Sequence, residues 1–250
     1  MTIGEAVILG LVQGLTEFIP VSSSGHLILV REFFGVYGGS GLAIDAVLQL
    51  ATALAIIIFF GQEIFKFIRN QRLVLIILLA TIPAGIIGFL LEQEMGTIFR
   101  SSGLVAGMLI VGSVIMYLAE KYGKGGRELN FKNGFVIGLF QALALVPGIS
   151  RSGATISGGL LNGLSREEAA KFSFLLALPI ICGSGLKKLF DLSVSGAISS
   201  LGPELIVGAL VAFLSGLVAI HVLIKYLKTH SLTVFIYYRL ALAILILLLI

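Results

Sequence analysis

Residues 147–155 read Pro-Gly-Ile-Ser-Arg-Ser-Gly-Ala-Thr, and they interrupt an apolar stretch that runs over residues 133–163. Proline and glycine break helices, so this stretch predicts two short helices joined by a turn. Arg151 lies in the turn. A charged side chain among apolar surroundings at membrane depth is costly and normally faces a polar cavity or an opposite charge. The stretch therefore predicts a re-entrant hairpin with a functional site at its tip.

The composition indicates an integral membrane protein along the whole chain. The 250 residues are 58% hydrophobic and 12% charged, with a mean hydropathy of +1.09, whereas about a quarter of a soluble domain is charged. The net charge of +4 comes from Lys and Arg scattered through short loops, which favours the positive-inside rule over nucleic-acid binding. Cys182 is the only cysteine, so no internal disulfide can form. We expect one membrane domain over residues 1–250.

Apolar segments and helix breakers together predict the arrangement of helices. Two stretches, residues 1–34 and 133–163, contain a Pro/Gly/Ser-rich break and are predicted to form re-entrant hairpins, because irregular backbone at membrane depth must be buried in protein or line a cavity. We expect an all-α integral membrane protein of about ten helices. The predicted full spans, each near the 20 residues that a bilayer requires, are residues 42–62, 73–91, 102–120, 168–190, 204–226 and 233–250.

The two halves of the chain resemble each other. Gly10-Leu11-Val12-Gln13 matches Gly138-Leu139-Phe140-Gln141, and a proline and a serine-rich turn follow in both. A hairpin plus three spans crosses the membrane an odd number of times, so repeat two, about 133–250, is expected to be inverted relative to repeat one, about 1–120. Paired breaks in inverted repeats point to a binding site. The bias of Lys and Arg towards the loops of Lys66 and Lys121 predicts that the first hairpin opens to the outer face of the cell membrane.

Polar side chains in the first hairpin can face one cavity. Gln13 and Glu17 are four residues apart, so on a helix they share a face. His26 follows the turn on the returning arm of the hairpin. A carboxylate, a titratable imidazole and three hydroxyls are therefore expected to converge; the hydroxyls belong to Ser22, Ser23 and Ser24.

The second hairpin offers groups that suit an anion with several oxygens, such as phosphate. Arg151 and the hydroxyls of Ser150, Ser152 and Thr155 surround a glycine-bracketed turn, whose backbone amides can point inward at a helix N-terminus.

The alternatives for these polar residues are structural: Gln13 and Glu17 as a packing pair, His26 as a satisfied interface histidine, and Arg151 in an ion pair with Glu17 or Asp45. No Gly-x4-Gly-Lys-Ser/Thr sequence supports ATP binding.

Two long motifs resemble the bacitracin-resistance family of undecaprenyl-diphosphate phosphatases. They are the run QGLTEFIPVSSSGH at residues 13–26 and PGISRSGAT at residues 147–155, and the likeness continues through SREEAAKFSF at residues 165–174 and along nearly the whole chain. The resemblance implies a membrane enzyme that removes the terminal phosphate from a polyprenyl diphosphate. It also implies that the monophosphate carrier is recycled for cell-envelope glycan synthesis.

The resemblance also implies roles for individual residues. The acidic motif of the family falls on Gln13 and Glu17, its histidine on His26, its proposed nucleophile on Ser23 and its phosphate-binding arginine on Arg151. A divalent cation, Mg²⁺ or Ca²⁺, is implied, with Glu17 as its ligand and most other ligands from diphosphate and water. Catalysis is expected from Glu17, Ser23, His26 and Arg151, and substrate contacts from Gln13, Ser22, Ser24, Ser150, Ser152 and Thr155.

Two other classes of protein share parts of this pattern. Ser24-Gly25-His26 and Ser150-Arg151 resemble pieces of lipid phosphatases related to type 2 phosphatidic acid phosphatase, but Ser157 stands where that family has a histidine. A transporter or scramblase of lipid or small anion could use the same inverted repeats. The concentration of acid, imidazole, hydroxyls and arginine favours an enzyme over passive transport, and the family resemblance implies that its partner is a prenyl diphosphate lipid. The sequence leaves open whether two copies form a homodimer.

Overall fold

The computed structural model describes residues 1–35, 39–91, 101–194 and 202–249, and these ranges contain eleven helices and no strand. The expectation of an all-α membrane protein is confirmed. The helices are α1 Ile3–Phe18, α2 Ser23–Phe34, α3 Gly39–Phe59, α4 Gly61–Arg69, α5 Gln71–Leu90, α6 Ser102–Tyr122, α7 Phe131–Leu143, α8 Arg151–Leu161, α9 Arg166–Val194, α10 Glu204–Leu227 and α11 Thr233–Leu249.

Four helices in the described ranges, α5, α6, α9 and α10, are long and apolar enough to cross a membrane. Helices α3 and α4 would form a fifth span if counted together, but they bend by 79° at Phe60. Helix α11 is a shorter apolar helix at the sixth predicted position. The predicted span 42–62 therefore runs past the end of α3, because α4 carries Lys66 and Arg69 on an exposed amphipathic helix, which is typical of a helix at the membrane surface.

Both predicted hairpins are pairs of short helices. Helices α7 and α8 have 13 and 11 residues, so at 1.5 Å per residue each falls short of the roughly 30 Å hydrocarbon core. The turns end in the same way: Ser22 and Ser150 are the only non-glycine residues with positive φ in the described chain, at 75° and 76°. Each serine hydroxyl accepts a hydrogen bond from the amide three residues later. This capping satisfies one free N–H group at the start of α2 and of α8.

Each hairpin packs through glycine against a spanning helix. Helix α1 lies on α10, and α7 lies on α5. A Cβ at Gly10 would overlap the carbonyl oxygen of Gly208, and a Cβ at Gly138 would overlap that of Ala80. Helix α3 also packs on both α9 and α10. The contact of α1 with α10 and the contact of α7 with α5 would be equivalent if the chain consists of two related repeats. The repeat itself stays a prediction.

The close approach of α7 to α5 gives a first prediction. We expect Gly138→Ala to destabilise the protein by about 1–3 kcal/mol, because the added methyl must displace the backbone of Ala80. The measurement is thermal unfolding in detergent. Gly85→Ala in α5 is the matched control, since a Cβ there meets no atom within 4 Å. Equal unfolding temperatures for the two variants would contradict this packing.

Candidate active site

Glu17 connects the two hairpins. It lies in the last turn of α1 and is 7% exposed. Its Oε1 atom accepts a hydrogen bond from Arg151 Nη2 at 2.8 Å, and its Oε2 atom accepts one from Ser23 Oγ at 2.7 Å. Gln13 Nε2 also donates to Oε2, at 3.0 Å. The Glu17 carboxylate therefore binds three other residues that the sequence selected, and one of them, Arg151, lies on the other hairpin.

Two helices begin at this carboxylate. Ser23 is the first residue of α2, and Arg151 is the first residue of α8. A helix N-terminus carries a partial positive charge and free N–H groups, so it favours an anion. The guanidinium of Arg151 adds a full positive charge at the same place. The arrangement can therefore bind a highly charged anion once that anion competes with Glu17 for Arg151.

The tips of the hairpins are tied directly to each other. Ser22 Oγ accepts a hydrogen bond from Gly148 N at 3.1 Å, in addition to the one from Gly25 N. Ser152 Oγ donates to the carbonyl of Ile19 at 3.5 Å. Ser22 was predicted to contact substrate, but it is buried and its hydroxyl already accepts two backbone amides. In this structure Ser22 holds the tips together.

The remaining hydroxyls of the second hairpin lie close to Arg151. Ser150 and Ser152 hydroxyls are 3.3 Å apart, and Thr155 Oγ1 is 2.5 Å from Ser173 Oγ on α9. Arg151 Nη1 donates to the carbonyl of Ser173 at 3.4 Å. The second hairpin thus rests on α9, which fixes the direction of the guanidinium. Ser24 is half-buried, and its hydroxyl makes no hydrogen bond within the described ranges.

His26 lies apart from this group. Its Nδ1 is 2.8 Å from the Ser22 carbonyl oxygen, and its Nε2 is 2.7 Å from the hydroxyl of Tyr238 on α11. Because a carbonyl only accepts, Nδ1 carries the proton, and Nε2 accepts from Tyr238 when the ring is neutral. The structure therefore pairs Ser23 with Glu17, and it does not bring His26 into hydrogen bonding with Ser23.

The structural alternative for Arg151 is partly realised. Arg151 does form an ion pair with Glu17, whereas Asp45 pairs with Arg31 at 2.8 Å. The Arg151 side chain nevertheless keeps 14% of its surface exposed, and the second oxygen of Glu17 is used by Ser23. The Ser23 hydroxyl satisfies a lone pair of the buried carboxylate, as a structural pair also needs, and it also places a candidate nucleophile beside a base.

Gln13 and Glu17 could contribute ligands to a divalent cation. Gln13 Oε1 is buried and has no hydrogen-bond partner, so a neutral oxygen is available beside the Glu17 carboxylate. In the described part of the chain, no three acid, histidine or cysteine side chains cluster as a metal site. The donor set fits a cation that takes most of its oxygens from a diphosphate and water.

Sequence reasoning missed three contributors to the site. Ser173 supports Arg151 and Thr155, Tyr238 contacts His26, and Arg239 donates to the backbone of both tips. Arg239 carried a usable signal, because it is a charged residue within an apolar span and the argument applied to Arg151 applies to it equally. Ser173 lies in the run 165–174 that carries the family resemblance, but its residue type gave no separate signal, and Tyr238 gave none.

Fold and site together define an all-helical, multi-pass membrane protein with a polar site where the tips of two helical hairpins meet. A sequence model described as "Bacitracin resistance protein BacA" matches residues 6–245, and the chain belongs to that family. It is similar to the undecaprenyl-diphosphatase of Thermobifida fusca (strain YX), with 43% identity covering 99% of this chain and 90% of the relative. The undecaprenyl-diphosphatase of Mycolicibacterium smegmatis (strain ATCC 700084 / mc(2)155) is 42% identical, covering 97% and 95%. That of Pelotomaculum thermopropionicum (strain DSM 13744 / JCM 10971 / SI) is 41% identical, covering 96% and 94%.

The buried ion pair gives a second prediction. We expect Arg151→Gln to cost about 3–5 kcal/mol of stability, because it leaves Glu17 buried without its counter-charge. The double variant Glu17→Gln with Arg151→Gln should recover part of this loss, measured by unfolding in detergent. Lys171→Gln is the control, because it breaks an exposed ion pair: the side chain of Lys171 is 42% exposed and that of its partner Glu167 is 32% exposed. Exposed ion pairs contribute less than about 1 kcal/mol to stability. Strictly additive effects of the two buried substitutions would contradict the coupling.

Proposed function

We propose that this protein hydrolyses undecaprenyl diphosphate, or a similar polyprenyl diphosphate, to the monophosphate and inorganic phosphate. The observation that carries the proposal is the Glu17 carboxylate, held between Arg151 on one hairpin and Ser23 on the other. The names of the relatives support this substrate class. The product would return the lipid carrier to cell-envelope glycan synthesis.

Arg151 and the N-termini of α2 and α8 would bind the diphosphate. The incoming phosphate takes the place of Glu17 on the guanidinium, with Ser150, Ser152 and Thr155 lying on the same hairpin. The guanidinium and the N–H groups at the two helix starts are already oriented, so they can stabilise the charge that spreads over the phosphoryl oxygens in the transition state. Gln13 and Glu17 would hold a divalent cation, which neutralises phosphate charge when bound.

Ser23 is the proposed nucleophile and Glu17 its base. Ser23 Oγ forms a bond to the terminal phosphorus, and its proton passes to the Glu17 oxygen that lies 2.7 Å away. The bond from that phosphorus to the bridging oxygen breaks, and the electron pair leaves with the polyprenyl monophosphate. Water then hydrolyses the phosphoserine and releases inorganic phosphate. In this proposal Glu17 takes the proton, although the family resemblance also counts His26 among the catalytic residues.

His26 is proposed to position the start of α2. Its Nδ1–H binds the carbonyl of Ser22, the residue just before the nucleophile, while Tyr238 holds the opposite side of the ring. The imidazole would therefore hold the backbone of Ser22, the N-cap residue of α2, in place. The site is proposed to open to the outer face of the cell membrane, as the distribution of Lys and Arg supports.

The third prediction concerns turnover of undecaprenyl diphosphate in detergent. Ser23→Ala and Glu17→Gln should each lower kcat at least about 100-fold, because nucleophile and base act as a unit. His26→Asn, whose amide can still donate to the Ser22 carbonyl, should lose much less. The measurement is release of inorganic phosphate, and Ser184→Ala on the exposed side of α9 is the control. Full activity of Ser23→Ala would contradict the nucleophile, and a wild-type protein without activity would favour a transporter or scramblase.

The fourth prediction concerns the cation. Gln13→Glu places a second carboxylate where Gln13 Oε1 now has no partner. We expect the Mg²⁺ or Ca²⁺ concentration for half-maximal phosphate release to fall about tenfold, which corresponds to roughly 1.4 kcal/mol. Gln62→Glu on the exposed helix α4 controls for one added negative charge. A midpoint that does not move in Gln13→Glu would remove Gln13 from the cation site.

A further inference from the structure

Arg239 on α11 is a fully buried charge at the junction of the two hairpins. It is 0% exposed, and no carboxylate forms an ion pair with it in the described ranges of the chain. A buried charge without a counter-ion requires several good hydrogen bonds to persist. The acceptors that Arg239 uses are therefore informative about its role.

All hydrogen bonds of Arg239 go to neutral oxygens. Nη2 donates to the carbonyl of Gly148 at 2.9 Å, and Nη1 donates to the carbonyl of Pro20 at 3.4 Å. These carbonyls belong to the tips of the second and the first hairpin respectively. Nη2 also donates to Leu109 O, and Nε donates to Ser113 Oγ, both at 3.1 Å and both on α6. One guanidinium therefore contacts both tips and a spanning helix.

The backbone around Arg239 leaves room for this arrangement. A Cβ at Gly112 would overlap Arg239 Nη2 and would lie 2.5 Å from the carbonyl oxygen of Ile149. Only glycine lets α6 approach both the guanidinium and the second tip so closely. The absence of a side chain at Gly112 therefore makes the space that the guanidinium of Arg239 occupies.

We propose that Arg239 is a positioning residue for the phosphatase reaction, holding the two hairpin tips at the separation that places Ser23 and Arg151 on the same carboxylate. Pro20 lies three residues before Ser23, and Gly148 lies three residues before Arg151. The planar, rigid fork of arginine can bind several oxygens in fixed directions, and a lysine ammonium cannot reproduce this geometry. The inference rests on the proposed function, because positioning is read out as turnover.

Four variants separate positioning from charge and from folding. Undecaprenyl diphosphate turnover should show kcat lowered roughly 100-fold in Arg239→Gln, since small displacements of reacting groups have effects of this size. Arg239→Lys keeps the positive charge, and its kcat should exceed that of Arg239→Gln by less than about tenfold. Gly112→Ala keeps Arg239 and displaces it, so kcat should fall about tenfold. In all three, KM should change less than about threefold. Gly107→Ala, whose Cβ meets no atom within 4 Å on the same helix, should match the wild type.

Each kcat is divided by the amount of folded protein, which is taken as the monodisperse fraction in detergent. Wild-type kcat in Gly112→Ala, or full rescue of kcat by Arg239→Lys, would overturn positioning in favour of a role for the charge alone. A loss of activity that only follows the loss of folded protein would also overturn it. If the Arg239 variants do not fold, Gly112→Ala decides alone. A wild-type protein without phosphatase activity would instead refute the proposed function.

Discussion

The ion pair between Arg151 and Glu17 is the interaction on which the site depends. Two hairpins that are distant in sequence each bring one charge to the junction of their tips, where neither charge could remain buried without the other. Glu17 uses its second oxygen for Ser23, so the same pair that stabilises the junction also holds a nucleophile. Stability without substrate and reactivity with it therefore depend on the same carboxylate.

The fold serves to bring helix N-termini to this pair. Serine caps with positive φ at Ser22 and Ser150 start α2 and α8 at the junction, so the positive ends of two short helices point towards the same place. Glycine contacts hold α1 on α10 and α7 on α5, and Arg239 ties both tips to α6. Polar backbone that would be costly at membrane depth is thereby satisfied within the protein.

Much of this could be predicted from the sequence, for physical reasons. Helix breakers inside apolar stretches located both hairpins, and a four-residue spacing placed Gln13 beside Glu17. The bend at Phe60 was not predicted, because the residues on both sides of it are apolar enough to look like one span. Helix α4 differs from α3 in being amphipathic, with its polar residues on one face. The partners of His26 and Arg239 were beyond reach as well: Tyr238 is 212 residues from His26, and the Arg239 acceptors are backbone carbonyls, which every residue has. Local patterns predict which residues are polar at membrane depth, and tertiary packing decides which of them meet.

The central claim is that a diphosphate takes the place of Glu17 on Arg151. The most direct measurement is calorimetric binding of a non-hydrolysable methylene-bisphosphonate analogue of a prenyl diphosphate, in detergent and with EDTA to remove divalent cations. We expect Glu17→Gln to bind the analogue more tightly than the wild type, because Arg151 is released and a repelling charge is lost, and Arg151→Gln to bind it at least about tenfold more weakly. Unchanged affinity in both variants would contradict it.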